Sequence, residues 1–67
     1  MLRRTFAKNL RRLRSGKGLS QEALGDAAGL DRTYISALES EVYSASLDTI
    51  EKIAAVLEVS AVDLLEE

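Results

Sequence analysis

The sequence predicts an all-α fold, a compact bundle of five short helices forming a single domain over residues 1–67. Three observations predict it. Apolar residues recur three and four positions apart, the period of one helix face, and the β-branched residues keep that register instead of alternating as in a strand. There is no proline, and Gly16, Gly18 and Gly29 fall between the periodic segments. Ser20, Asp31, Ser46 and Ser60 stand just ahead of four of those segments, where a short oxygen-bearing side chain can cap the free amides of a first turn.

The elements follow in order. The first helix is predicted over residues 5–15, with Phe6, Leu10 and Leu13 as its inward stripe and Ala7 beside them; Gly16 and Gly18 break it. Ser20 caps a second helix over 21–28, and Gly29 ends it, because glycine tolerates the left-handed backbone needed there. Asp31 caps a third helix over 32–40. Leu19 with Leu24, and Leu30 with Ile35, have the spacing of hydrophobic staples around the two caps. Small residues at Gly25, Ala27 and Ala28 allow close approach of the two helices. Two short helices joined by a tight turn at Gly29 and Leu30 have the shape of a helix-turn-helix, whose second helix enters the major groove of DNA. Residues 41–45 form a loop. Ser46 caps a fourth helix bearing Leu47, Ile50, Ile53, Ala54 and Leu57 at helical spacing, and Ser60 caps a short fifth helix with Val59 and Leu64 as a further staple.

Size and composition narrow the function. A chain of 67 residues buries only about 60% of its unfolded surface, so its stability rests on tight packing or on a partner subunit. With no cysteine and no histidine, disulfides and the usual zinc sites are excluded. With no glycine-rich phosphate loop either, and with scattered carboxylates, an enzyme is not expected, nor any cofactor or metal. The 46% hydrophobic content fits a globule, not a disordered chain. Apolar runs are too short for a membrane span. Arg3 and Arg4 lead into an amphipathic helix, not a signal peptide, which makes the prokaryotic cytoplasm the expected compartment.

The net charge of −2 conceals an uneven distribution. Residues 1–18 carry seven bases and no acid, whereas residues 19–67 carry only Arg32 and Lys52 against eleven acids. A basic end on an acidic body suits phosphate contact at one face and solubility elsewhere.

The wording of the central segment is more specific than its caps. LSQEALGDAAGLDRTYISALE resembles the helix-turn-helix of the phage repressor and Cro-like regulators, the XRE family. NLRRLRSGKGLSQ resembles that family's first helix and SLDTIEKIAAVLEVSAVDLL its last two, so the resemblance covers roughly residues 6–65. RTYISALE followed by SLDTIEKIAAVLEVS is most similar to the controller proteins of restriction–modification systems. The resemblance implies a repressor-like DNA-binding domain.

Site residues follow from position and from the resemblance. Arg32 and Thr33 open the third helix, the end that points into the groove, with Ser36 and Ala37 one turn later on the same face. Arginine can make a bidentate contact to guanine, and threonine can hydrogen-bond a base or touch a thymine methyl. The family's base-reading positions match Arg32, Thr33 and Ala37. Gln21 matches a family glutamine that contacts phosphate and braces the recognition helix, at a helix N-terminus already suited to phosphate. Ser40, Tyr43, Ser44, Arg11 and Arg12 complete the candidate backbone contacts; Tyr34 either joins them or packs between helices. By resemblance, Arg14 and Glu39 form an ion pair linking the first and third helices, a structural role that fixes orientation. The loop departs from the family: Glu39-Ser40-Glu41-Val42-Tyr43-Ser44-Ala45 contains no glycine, proline or base.

Leu57, Val59, Ala61, Val62 and Leu65 form an apolar group too large for so small a core, and related short regulators dimerise through this region. A two-fold dimer places its recognition helices about 34 Å apart, facing successive major grooves. The expected function is a sequence-specific transcriptional regulator acting as a homodimer on a two-fold operator in double-stranded DNA, without a sensor domain. RNA polymerase is a further candidate partner. The alternatives are a protein-interaction adaptor or an antitoxin on the same fold, and the distinguishing feature is whether Arg32 and the seven N-terminal bases share one surface.

Overall fold

Capping and backbone chirality set the helix limits in the computed structural model, which describes residues 1–67. The chain forms α1 (Leu2–Gly16), α2 (Gln21–Ala28), α3 (Arg32–Glu39), α4 (Leu47–Leu57) and α5 (Ala61–Leu65), with no strand. Helix α1 starts three residues earlier than the periodicity indicates. No breaker precedes Thr5, and the Thr5 amide already donates to the Met1 carbonyl at 3.0 Å. Ser20 Oγ accepts from the Ala23 amide at 3.0 Å, and Asp31 Oδ1 accepts from the Thr33 amide at 2.7 Å. Gly29, at φ 71°, closes α2 in the left-handed region. Helix α3 ends one residue short of expectation because Glu41 turns to φ 64°, which lets the Val42 amide reach back to the Ala37 carbonyl at 2.9 Å. Glu58 closes α4 in the same way at φ 60°. Ser60 caps α5 within a reciprocal capping box with Asp63, which the sequence reading missed.

Every helix contributes to one core. Leu10, Leu24, Ile35, Leu38, Ile53 and Leu64 are wholly buried, with Phe6, Ile50, Ala54 and Leu57 around them. Burying each large aliphatic side chain contributes about 1.5–3 kcal/mol relative to exposure. Helix α2 packs on α3 and α4, α1 packs on α3 and α5, and α5 also rests on α4.

Three apolar or small residues differ from expectation. Leu47 is 77% exposed: it is the first residue of α4, and no neighbouring helix extends over that turn. Ala27 is exposed, so it does not mediate the approach of α2 and α3. Gly25 does: a Cβ there would lie 2.5 Å from the Leu30 carbonyl oxygen. Leu57 is only 4% exposed and fills the core, which corrects its assignment to a dimer interface. Val59 and Ala61 are half-buried against the same core, Leu65 is half-buried, and Val62 is exposed. The polar residue that periodicity overlooked is Asn9. It is buried in α1, and its Nδ2 donates to the carbonyls of Leu64 at 3.0 Å and Glu66 at 2.8 Å, clamping the end of α5.

Candidate nucleic-acid interface

In α3, Ile35, Leu38 and Glu39 are buried, while Arg32 and Thr33 are exposed at the first turn. Ser36 and Ala37, half-buried, continue the same face one turn on. The Asp31 cap holds the start of this helix, and Arg32 is engaged in no ion pair. The result is a short row of polar and small side chains on a rigid support, led by a free guanidinium.

A buried polar network sets the orientation of that support. Glu39 Oε2 accepts from Arg14 Nε at 2.6 Å, and Glu39 Oε1 accepts from Arg14 Nη2 and from Gln21 Nε2, both at 3.1 Å. Arg14 Nη1 also donates to the Leu19 carbonyl at 2.8 Å. One carboxylate thus ties α3 to α1 and to the first turn of α2. Such a buried charge is tolerable because it is paired and hydrogen-bonded throughout. The hydrogen bond to Glu39, aided by its charge, raises the Arg14 pKa above its ordinary value despite desolvation. Gln21 is half-buried, its side-chain amide turned toward Glu39, while its backbone amide belongs to the exposed N-terminal turn of α2.

Other sequence-predicted residues gather at the far end of α3. Arg11 Nη2 donates to the Glu39 carbonyl at 3.0 Å, satisfying a terminal carbonyl and complementing the negative end of the helix dipole. Ser40, Tyr43 and Ser44 are exposed in the segment that follows. Tyr34 is half-buried against the core edge, its ring 6.2 Å from that of Tyr43 at a 38° tilt, so it packs between α3 and this segment.

Arg12 does not join this surface. Its Nη2 donates to Asn9 Oδ1 at 3.2 Å, and it lines a concavity with Arg4, Lys8, Asp63, Glu66 and Glu67 on the α5 side of α1. One residue on from Arg11, it is rotated about 100° around the helix and lies on the α5 side. The seven N-terminal bases therefore do not share one face. Arg14 reaches α3 inside the buried network, Lys17 pairs with Glu58, Arg11 reaches the end of α3, and Arg3 reaches the loop after it. No group of three or more acidic, cysteine or histidine side chains is placed to hold a metal, and no helix is long and apolar enough to cross a membrane.

Comparisons with known proteins agree with this geometry. Residues 10–64 match the helix-turn-helix family. The chain is 50% identical, over 96% of its length, to a hypothetical transcription factor of Neisseria meningitidis serogroup B, and spans 60% of that relative's length. It is 42% identical to control protein C.BamHI of Bacillus amyloliquefaciens, covering 97% of this chain and 82% of that protein. The crystal structure of the restriction–modification controller protein C.AhdI from Aeromonas hydrophila superposes with a TM-score of 0.89 at 40% identity, covering 92% of this chain and 94% of that one.

Proposed function

The chain belongs to the helix-turn-helix family, and from that membership we propose that it is a sequence-specific DNA-binding transcriptional regulator acting as a homodimer on a two-fold operator. The observation that carries the reading is the exposed, unpaired start of α3, Arg32 and Thr33, seated on a helix whose buried Glu39 locks it to α1 and α2. Entering the major groove by that end brings Arg32 first to the base edges, with Thr33, Ser36 and Ala37 behind it. The first turn of α2 and the segment after α3 flank this row and meet the phosphates on either side. Likeness to C.BamHI and C.AhdI supports regulation of a restriction–modification system as the biological setting.

The homodimer is supported by apolar side chains left in solvent. Val62 is 60% exposed and lies one turn from Leu65 on α5. Leu65, half-buried at the edge of the core, extends that apolar strip along α5. Covering this surface with the same surface of a second copy forms a self-complementary two-fold contact.

The test is binding to a selected operator and to scrambled duplex. Arg32→Ala should lower operator affinity by about 1–3 kcal/mol and relax the preference at one base pair per half-site, leaving scrambled-duplex affinity little changed. Equal loss on both duplexes would make Arg32 a phosphate contact and move base reading to Thr33, Ser36 and Ala37.

A further inference from the structure

The segment between α3 and α4 has no lysine or arginine of its own, yet a base reaches it from the other end of the chain. Arg3, in the first turn of α1, donates from Nε to Ser44 Oγ at 2.9 Å across 41 residues of sequence. Both residues are exposed, and neither ion pair of the molecule involves Arg3. Glu41 shares a concavity with Arg3 and Arg4 without pairing to either, and the two guanidiniums outweigh its single negative charge there.

The donor arithmetic favours an anion. A guanidinium has five N–H donors in a planar fork, and Nε uses one here, leaving those on the two Nη atoms. A serine hydroxyl that accepts one hydrogen bond keeps its own proton to donate. Arg3 and Ser44 thus present adjacent donors backed by a full positive charge, an arrangement suited to a phosphate oxygen pair. The site is also held in register with α3, because neighbouring Tyr43 rests on Tyr34 of that helix. Its position is otherwise unfavourable for a base: α1 carries no acid in its first turn, and a cation there opposes the helix dipole.

We infer that Arg3 and Ser44 together form a clamp for a backbone phosphate of duplex DNA, with α1 supplying the charge that the loop after α3 lacks. The inference rests on the DNA-binding reading above, and deepens it by assigning one further phosphate contact. Ser44 donates to the phosphate while held by Arg3, and the Arg3 Nη atoms contact the same group.

The experiment measures binding of the unmodified chain and of Arg3→Ala, Arg3→Lys, Ser44→Ala and Arg12→Ala to a fluorescent mixed-sequence duplex across a salt series, with a thermal melt of each variant. Each phosphate contact adds about 0.9 to the slope of log affinity against log salt. Arg3→Ala should therefore shallow the slope by about one unit, and Arg3→Lys should restore it. Ser44→Ala should weaken binding several-fold beside Arg3 and have little further effect once Arg3 is alanine. Arg12→Ala should leave the slope unchanged. An unaltered slope in Arg3→Ala, with the unmodified chain binding normally, overturns the clamp alone. That result, with a lowered melting temperature, makes Arg3 a loop anchor only. Failure of the unmodified chain to bind duplex at any salt concentration overturns the DNA-binding reading and the clamp with it.

Discussion

The helix-turn-helix and the face where the starts of α1 and α4 meet α5 handle apolar side chains in opposite ways. In α2 and α3, Leu24, Ile35 and Leu38 are wholly buried, and the exposed row is led by Arg32 and Thr33. On the second face, Leu2 and Leu47 are 65% and 77% exposed beside Phe6 and Ile50, and Val62 on α5 is 60% exposed. The first surface is complete within one chain and suited to water or a polyanion. The second gains free energy whenever it is covered, since burial of apolar area is favourable whatever covers it. A domain this small cannot cover both, because its surface is large relative to its volume.

The two regions also differ in how charge is held. Glu39 is buried and shared among three helices, whereas Lys17 and Glu58 pair in solvent. The largest expected effect is on the buried network. Glu39→Ala leaves Arg14 partly buried without its partner and removes the acceptor for Gln21, at a cost of about 3–5 kcal/mol. A double-mutant cycle with Arg14→Ala, read by thermal unfolding, should show strong coupling; additive losses would mean that the network does not tie α3 to α1.

The next effect sharpens the contrast from the other side. Val62→Glu should leave the fold intact, because the side chain is already in solvent, while raising the dimer dissociation constant on the order of a hundred-fold. That figure follows from losing about 1.5 kcal/mol at each of two copies. Sedimentation of the unmodified protein settles the premise: a monomer at high micromolar concentration would leave this apolar surface without the proposed role.

The smallest effect belongs to the exposed pair. The hydrogen bond and charge of Lys17 hold the Glu58 carboxyl below its ordinary value of 4.5. A depressed folded-state value contributes stability that is present above pH 4.5 and lost as pH falls through the folded value. Lys17→Ala should therefore lower the melting temperature slightly at neutral pH and low salt, with the difference vanishing in acid and shrinking at high salt. A difference that grew in acid would contradict this assignment of the pair.

Much of this was legible because the controlling interactions are local. Ser20, Asp31, Ser46 and Ser60 cap the amide two or three residues on, so their role depends on nothing distant. Gly29 takes the left-handed conformation for the same reason. Periodicity set Leu47, Ile50, Ile53, Ala54 and Leu57 at helical spacing but could not say which of them the rest of the fold covers. Hence Leu47 fell outside the core and Leu57 within it. Asn9 escaped notice because its partners, the carbonyls of Leu64 and Glu66, lie 55 and 57 residues away.

The sequence by itself determined five helices, their caps, and a third helix with Arg32 and Thr33 at its exposed start. Only the tertiary structure decided what four of the five arginines of α1 do. Arg3, Arg11, Arg12 and Arg14 are chemically identical and lie on one helix, yet they meet Ser44, the Glu39 carbonyl, Asn9 and the Glu39 carboxylate respectively. Residue type supplies the same guanidinium at all four positions. What separates them is where each falls around and along α1, whose orientation is set by the packing of Phe6 and Leu10 into a core shared with the other helices.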